Sequence, residues 1–231
     1  MRSDVAALYV DPRGPYPKLV EHWWDEKRDA RTYAGPWPVV AHPPCERWGR
    51  YWSGGPNPHA ARRTLGDDGG CFEAALTAVR KWGGVLEHPE ASHAWKAFGL
   101  KTPPKGGGWV PAGDYWRGDA EGWTCCVEQG HYGHRARKAT WLYVARIYPL
   151  PNLRWGSSGP KPRLDDGFHS KAERAAGQKR SEAPRLSKVE CVSTPAEFAW
   201  LLLDLASIAK PNFQAINADQ RRAALHTRDG Q

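Results

Sequence analysis

The stretch "FEAALTAVRKWGGVLEHP", Phe72–Pro89, predicts a helix followed by a buried strand. Its apolar residues recur at steps of three and four, which is typical of one face of a helix. These residues are Phe72, Ala75, Leu76, Val79 and Trp82. Two glycines end the helix, and a proline stops the apolar run Val85–Pro89 that follows. Another short apolar run, Pro38–His42, precedes the helix, so the order strand, helix, strand predicts a right-handed βαβ unit.

Two more short apolar runs lie towards the N-terminus. Val5–Val10 stops at the turn-forming sequence Asp-Pro-Arg-Gly, and Leu19–Trp24 stops at an aspartate. Runs of this kind, each followed by polar, glycine or proline residues, are typical of parallel strands buried on both faces. Their carboxyl ends are expected to meet at one edge of the sheet, where α/β proteins place their ligand sites.

The second half of the chain predicts an antiparallel hairpin. "WTCCVEQG", Trp123–Gly130, and "ATWLYVARIY", Ala139–Tyr148, both have strand character, and the loop Gln129–Lys138 joins them. A hairpin added to parallel strands gives a mixed sheet. The predicted fold class is therefore α/β, with a mostly parallel mixed sheet, an antiparallel hairpin and a C-terminal helix.

Composition divides the rest of the chain. Thr194 as N-cap, Pro195 as first helical residue and Glu197 predict a capping box that opens a helix docked on the domain. The segment before it is polar, basic and without a period, which is typical of a linker or loosely ordered arm. The predicted division is an α/β domain 1–148, an arm 149–193, a helix 194–210 and a polar tail 211–231.

The charge balance favours an anionic partner. The 231 residues carry 33 Lys and Arg against 25 Asp and Glu, a formal net charge of +8, and thirteen tryptophans. Nucleic acid is the first candidate, with tryptophans stacking on bases; the alternatives are a solvated basic tail and tryptophans that cover a small core. "MRSDVAALYV" is not a signal peptide and no transmembrane span is predicted, which points to the cytoplasm.

The five cysteines predict reduced thiols and no metal site. There is no Cys-x-x-Cys pair, and an intracellular chain is expected to keep its thiols reduced. A zinc site from His131 and His134 with Cys125 or Cys126 is the weaker alternative, because genuine zinc ligands have better-defined spacings.

Three further motifs resemble the DNA cytosine-C5 methyltransferases. The Pro-Cys motif of that family follows a core strand, as Pro43-Pro44-Cys45 does here. Its next fixed point is a Glu at the end of the following strand, where this chain has Glu87 in "VLEHP". A third is a basic loop with Gln and paired Arg, matched in "EQGHYGHRARK" by Gln129, Arg135 and Arg137. The resemblance covers roughly residues 5–148.

The resemblance implies a fold, a reaction and roles for these residues. The fold is a Rossmann-like sheet of the methyltransferase type. Cys45, as a readily deprotonated thiol, adds to C6 of a flipped cytosine. Glu87 binds the N3 edge and assists protonation, and Arg135 and Arg137 hold the base carbonyl and a phosphate. Nucleic-acid contacts are expected from Arg47, Trp48 and Arg50 after the cysteine and from Gln129 and Lys138 in the loop.

The cofactor implied by the resemblance is S-adenosylmethionine, and here the sequence departs from the family. The family's aromatic-x-Gly-x-Gly turn is replaced by "VDPRGPYP", and the eight residues 11–18 cannot hold a helix of ordinary length. Glu-Asn-Val has become Glu-His-Pro, and no large recognition domain is present. The residues expected near the cofactor are Asp11, Gly14, Asp25, Asp29 and Pro43.

Two other groups of polar residues have alternative interpretations. His42 and His88 each neighbour a proposed catalytic residue, so they are either an acid/base pair or metal site with Cys45, or ordinary polar residues at strand ends. Asp67 and Asp68 precede the central helix, where capping is the simpler interpretation and metal binding the alternative.

The sequence therefore predicts an enzyme that methylates cytosine C5 in DNA through a covalent Cys45 adduct. The first alternative keeps the scaffold and the flipped pyrimidine but transfers another group, because the cofactor turn is altered. The second is a catalytically inactive DNA-binding protein that masks sites. The compact size favours a monomer encoded by a phage or mobile element and acting in the host cytoplasm.

Overall fold

The computed structural model is a mixed sheet covered on both faces by helices. It describes residues 1–53, 63–113, 122–162, 164, 175–176 and 186–211. The strands are β1 Arg2–Leu8, β2 Val20–Trp24, β3 Val39–Ala41, β4 Gly84–Pro89, β5 Val110–Pro111, β6 Trp123–Glu128 and β7 Ala139–Ala145. The helices are α1 Tyr16–Leu19, α2 Cys71–Trp82, α3 His93–Ala97, α4 Lys188–Val192 and α5 Ala196–Ser207, with 3-10 turns at Ala30–Thr32 and Gln129–Tyr132.

The strand order is β2-β1-β3-β4-β7-β6-β5. The first four strands in this order are mutually parallel, whereas β7 is antiparallel to both β4 and β6. Strand β6 consequently runs in the same direction as the parallel four. The predicted parallel strands, hairpin and mixed sheet are confirmed, and five carboxyl ends lie at one edge, called here the carboxyl edge.

Two apolar layers hold the sheet. Successive residues of a strand face opposite sides, so Val39 packs in the layer under α2 while Val40 packs in the layer under α5. Both valines are completely buried, which is why the central strands are continuous apolar runs. Gly84 begins β4 where a Cβ would lie 2.0 Å from the carbonyl oxygen of Val39, so only glycine fits.

The register at the carboxyl edge brings two polar residues together. Ala41 of β3 pairs with Leu86 of β4, and both belong to the layer under α2. The next residues, His42 and Glu87, therefore lie at the same level and point towards the opposite face. Strand pairing alone thus places a histidine beside a carboxylate.

The C-terminal helices begin differently from the prediction. Helix α5 begins at Ala196 with Pro195 as its N-cap and has no side-chain cap, so the predicted Thr194 capping box is wrong. A capping box instead opens α4, where Ser187 and Glu190 bond reciprocally. Proline cannot donate a backbone N–H, and its extended backbone moves the start of α5 one residue along.

The beginning of the predicted arm is packed. Leu153 is buried, and Leu150 and Trp155 pack against the layer under α5. Three irregularly spaced apolar residues in a polar segment give no period, which is why their packing was not predicted. Residues 212–231 of the predicted tail 211–231 lie outside the described residues. Among the helices within the described ranges, none has the length and apolar character needed to cross a membrane.

Candidate functional site

A cavity of about 1200 Å³ opens at the carboxyl edge. Its wall combines the turn after β3, the end of β4, strand β6, the β6–β7 loop and α4. The charged side chains of the wall are mostly cationic: Arg50, Arg63, Lys105, Arg137, Lys138, Lys161 and Lys188, against Glu46, Glu90 and Glu128. Tyr51 and Trp52 add aromatic surface. An electropositive recess with aromatic walls suits an anionic ligand that carries a ring.

Cys45 lies at this cavity, on the turn that follows β3. Its carbonyl oxygen accepts hydrogen bonds from the backbone N–H groups of Trp48 and Gly49, at 3.1 and 2.7 Å, which closes the turn. The residue is exposed to solvent and lines the cavity. This is the place at a strand end that was expected for Cys45.

The second expectation for this thiol, ready deprotonation, is wrong for the free protein. The crowding of its surroundings and the negative charge of Glu87 raise the pKa of Cys45, and the positive charge of Lys138 acts in the opposite direction. Arg47, which was expected to contact nucleic acid, is not part of the cavity wall. The thiol is protonated at neutral pH and needs a partner in its reaction.

Glu87 is on β4, outside the residues that line the cavity, with 14% of its side chain exposed. Its Oε2 is 2.9 Å from Nδ1 of His42, and its Oε1 accepts a hydrogen bond of 3.2 Å from Nε2 of Gln129. Burial opposes ionisation, but the hydrogen bond from His42 and the charge of Lys138 outweigh it and lower the pKa of Glu87. The carboxyl is therefore an anion at neutral pH.

His42 connects Glu87 to a buried phenol. Its Nε2 lies 2.7 Å from the hydroxyl of Tyr16, whose side chain is 2% exposed and packs against the imidazole with ring centroids 5.1 Å apart. Helix α1 is only four residues long, yet it places Tyr16 over the sheet at this point. Tyr16 could not be predicted as part of the site, because a single aromatic residue outside any apolar run shows no period.

Lys138, which was expected to contact nucleic acid, also interacts with the two candidate catalytic residues. It is part of the cavity wall, and its ammonium interacts electrostatically with both Cys45 and Glu87. Burial lowers the pKa of Lys138, and these two acidic groups partly offset that effect. Its Nζ also donates a 2.7 Å hydrogen bond to the carbonyl oxygen of Ser193. The lysine is thus a fixed positive charge beside the thiol.

Gln129 is buried and does not contact the cavity. Its Nε2 donates to Glu87 and, at 3.0 Å, to the hydroxyl of Thr140. The expected nucleic-acid contact is wrong, because the 3-10 turn that opens the β6–β7 loop carries this side chain inward. Gln129 instead supports the carboxylate from the hairpin side.

The two arginines of the loop separate. Arg137 is on the cavity wall, 3.9 Å from Glu128 and 3.5 Å from the hydroxyl of Ser157. Arg135 points away and forms an ion pair with Glu190, the capping residue of α4, whose pKa is lowered to about 2 by the bonds from Ser187 and by Arg135. Of the two arginines, only Arg137 lines this cavity, because Arg135 is held by Glu190.

The residues that follow Cys45 also face different surroundings, some at the cavity and some in the apolar core. Arg50 is on the wall, 3.7 Å from Glu90. Trp48 is buried against Phe72, and its Nε1 donates a 2.8 Å hydrogen bond to Asp68. The expectation that Trp48 contacts nucleic acid is therefore wrong, because its ring completes the apolar layer under α2.

The remaining polar groups have local partners. Asp68 accepts a 2.8 Å hydrogen bond from the backbone N–H of Phe72 in the first turn of α2, but the N-cap of this helix is Gly70 rather than an aspartate. His88 is buried, its Nδ1 lies 2.7 Å from the Ser92 hydroxyl, and burial lowers its pKa to about 4. Over the described ranges, no group of three or more His, Cys, Asp or Glu could hold a metal ion.

The residues expected to bind S-adenosylmethionine do not form a site that fits it. Asp29 receives two bonds of 2.8 and 2.9 Å from the Arg31 guanidinium. Asp11 is paired in the same way with Arg13. Asp25 accepts from the backbone N–H of Arg28. Two further positions were expected to contribute: Gly14, whose N–H bonds to the Asp11 carbonyl within the turn, and Pro43, which is buried. The carboxylates are committed to their own turns.

Comparison of the chain with protein-family models, with curated proteins and with solved structures gives no match. The likeness to cytosine-C5 methyltransferases therefore rests on the residues of the site.

Proposed function

We propose that this protein modifies a pyrimidine base of DNA, with Cys45 as the nucleophile. The observation that carries the proposal is the exposed Cys45 at the wall of a basic, aromatic cavity, where Lys138 and Glu87 both act electrostatically on its thiol. A cavity of about 1200 Å³ exceeds the usual size of a small-molecule site, about 300–1000 Å³, and has room for a flipped nucleotide with its flanking phosphates.

The chemistry follows from the groups present. A pyrimidine is electrophilic at C6, and thiolate addition there makes C5 nucleophilic. Cysteine is effective even when only a few per cent is ionised, because sulfur is intrinsically nucleophilic. Lys138 stabilises the thiolate electrostatically, and Arg50 and Arg137 face the space that the phosphates would occupy. Once C5 has reacted and lost its hydrogen, expulsion of the thiolate restores the ring.

Methyl transfer from S-adenosylmethionine to cytosine C5 is the specific form of this reaction that the resemblance implies. S-adenosylmethionine would supply the methyl group when bound. Because the acidic residues after β1 and β2 do not fit it, we derive no step through that cofactor, and transfer of another group to the same position is the alternative.

One observation favours a second candidate function. The pKa of Cys45 is raised rather than lowered, which suits a protein that binds and masks DNA sites without modifying them. Such a protein would use the same cavity and the same cations. Its binding would be unchanged by Cys45→Ser, and no base would react.

Hydrogen exchange at C5 tests the proposal without any group donor. In deuterated water, thiolate addition to C6 lets C5 take up a deuteron, and loss of the original hydrogen followed by expulsion of sulfur leaves deuterium at C5. We expect wild-type protein to label pyrimidines of single-stranded oligodeoxynucleotides, measured by nucleoside mass spectrometry, and Cys45→Ser to abolish labelling. Cys71→Ser is the matched control. Binding without labelling by the wild type would favour the masking function.

A further inference from the structure

The carboxylate of Glu87 is surrounded by hydrogen-bond donors. Oε2 faces Nδ1 of His42 at 2.9 Å, and Oε1 faces Nε2 of Gln129 at 3.2 Å. Gln129 is held by its second bond, to Thr140. Both oxygens thus accept hydrogen bonds from side chains fixed in buried positions, and this arrangement matches an ionised carboxylate, which can only accept.

The hydrogen positions along this chain follow from Tyr16. Burial, with a further contribution from the charge of Glu87, raises the pKa of the Tyr16 phenol well above its ordinary value, so the hydroxyl keeps its hydrogen. It donates to Nε2 of His42, and Nδ1 then carries the hydrogen that goes to Glu87. One tautomer therefore satisfies the whole chain, with the phenol as first donor and the carboxylate as final acceptor.

The other groups that face Glu87 act in the same direction or are neutral. Lys138, from the β6–β7 loop, favours the anion electrostatically. His88, the next residue of β4, is uncharged at neutral pH because burial lowers its pKa to about 4. Cys45 is protonated in the free protein. The Glu87 side chain retains 14% exposure, and a base would have to reach the carboxylate through this exposed part.

We propose that the chain Tyr16–His42–Glu87 selects a pyrimidine that carries a hydrogen on N3, which is a uracil-type base rather than cytosine. This inference rests on the proposed function, since it concerns the base that Cys45 attacks. Uracil presents N3–H to an acceptor and the carbonyl O4 beside it. Cytosine presents a bare N3, whose lone pair would oppose the carboxylate unless Glu87 were first protonated. A site that holds the wrong hydrogen-bonding partner discriminates strongly against it.

The consequence for the reaction is specific. Of the two bases with N3–H, uracil has a hydrogen at C5, whereas thymine already carries a methyl group there. The base that reacts at C5 in this site is therefore uracil, and His42 and Tyr16 are positioning residues that act through Glu87. The resemblance to cytosine-C5 methyltransferases, in contrast, implies cytosine as the base.

The test compares two single-stranded oligodeoxynucleotides that differ only in one central base, deoxyuridine or deoxycytidine. Deuterium incorporation at C5 is measured for each at pH 7.5. We expect the uracil strand to be labelled at least about tenfold faster. Equal labelling, or faster labelling of cytosine, would overturn the selectivity while leaving the nucleophile in place. Absence of labelling in both strands would instead refute the proposed function.

Two variants test the role of the chain. His42→Phe removes the hydrogen bond that lowers the pKa of Glu87, so the carboxyl protonates at higher pH and the uracil preference should fall at least about threefold. Tyr16→Phe keeps the ring and its packing while leaving Nε2 without its donor, and should shift the pH profile in the same direction. In the wild type, cytosine labelling should rise and uracil labelling fall as the pH is lowered. Unchanged ratios in a folded Tyr16→Phe protein would overturn the role of the chain.

Discussion

Two groups of charged residues lie at the same carboxyl edge and are arranged in opposite ways. In the acidic turns after β1 and β2, residues 11–14 and 25–31, the three aspartates are each bound by a neighbour in sequence, as Asp29 is by Arg31 at 2.8 Å. At the cavity, the opposite charges are far apart in sequence and loosely paired. Arg50 is 3.7 Å from Glu90, and Arg137 is 3.9 Å from Glu128.

The difference indicates which part of the edge is built for a ligand. Short local ion pairs satisfy their partners and fix a turn, so they have little capacity left for another molecule. Long pairs around an open cavity can be exchanged for contacts with phosphate, which offers more acceptor oxygens. The resemblance to methyltransferases implies ligand contacts at both the acidic turns and the cavity. The loosely paired charges favour the cavity as the ligand site.

The largest expected effect concerns nucleic-acid affinity. We expect Arg137→Ala/Lys161→Ala to weaken binding of a single-stranded oligodeoxynucleotide about tenfold and to reduce the salt slope by about one for each cation removed. Fluorescence anisotropy over a salt series measures both quantities. The matched control, Arg13→Ala/Arg28→Ala, removes two cations from the acidic turns and should leave binding unchanged. Equal losses in the two double variants would show that only net charge matters.

The next effect is on the reactivity of Cys45. Because the charge of Glu87 raises the pKa of the thiol and that of Lys138 lowers it, Glu87→Gln should speed alkylation by iodoacetamide at pH 7.5 and Lys138→Met should slow it, each by about threefold. Peptide mass spectrometry follows Cys45 specifically. Changes in the same direction for both variants would contradict the electrostatic account, and alkylation of Cys71 provides the internal reference.

A smaller effect is expected on stability at acid pH. The folded protein holds the pKa of Glu87 below that of an unfolded glutamate, about 4.3. The resulting stabilisation is fully present above that pH and is lost as the pH falls through the folded pKa. Urea denaturation of wild type and Glu87→Gln between pH 3 and 7 should therefore show a steeper acid loss in the wild type. Parallel curves would mean that the His42–Glu87 pair contributes no stability.

The smallest signal is expected at the acidic turns. Calorimetric titration with S-adenosylmethionine should give no heat beyond dilution, because Asp25 and Asp29 are committed to their own turns. Binding that disappears in Asp29→Ala would contradict this and restore the cofactor site that the resemblance implies.

The strands and the central helix could be predicted because each has a clear local cause. Fully buried strands require apolar runs of fixed length, and α2 shows the period of one buried face, from Phe72 to Trp82. Strand ends then located Cys45 and Glu87 at one edge. Such features depend on neighbours in sequence, so they can be recognised without the structure.

The contents of the site depended on contacts between distant segments, and these could not be predicted. Tyr16 reaches His42 over 26 residues, and Gln129 reaches Glu87 over 42. The direction of a side chain in a loop has no periodic signal, so Gln129 and Trp48 were assigned to the surface when both are buried. Lys138 was recognised as a cation, but its place beside the thiol follows only from the fold.

The role of Cys45 as nucleophile is tested most directly by mapping a covalent bond between Cys45 and a base. The protein is incubated with an oligodeoxynucleotide that carries 5-fluoro-2′-deoxyuridine, whose C5 fluorine makes C6 more electrophilic. Acid quenching preserves the adduct, and peptide mass spectrometry locates it. We expect one adduct, on Cys45, that is absent in Cys45→Ser. An oligonucleotide that binds without forming an adduct, or an adduct on Cys126, would contradict it.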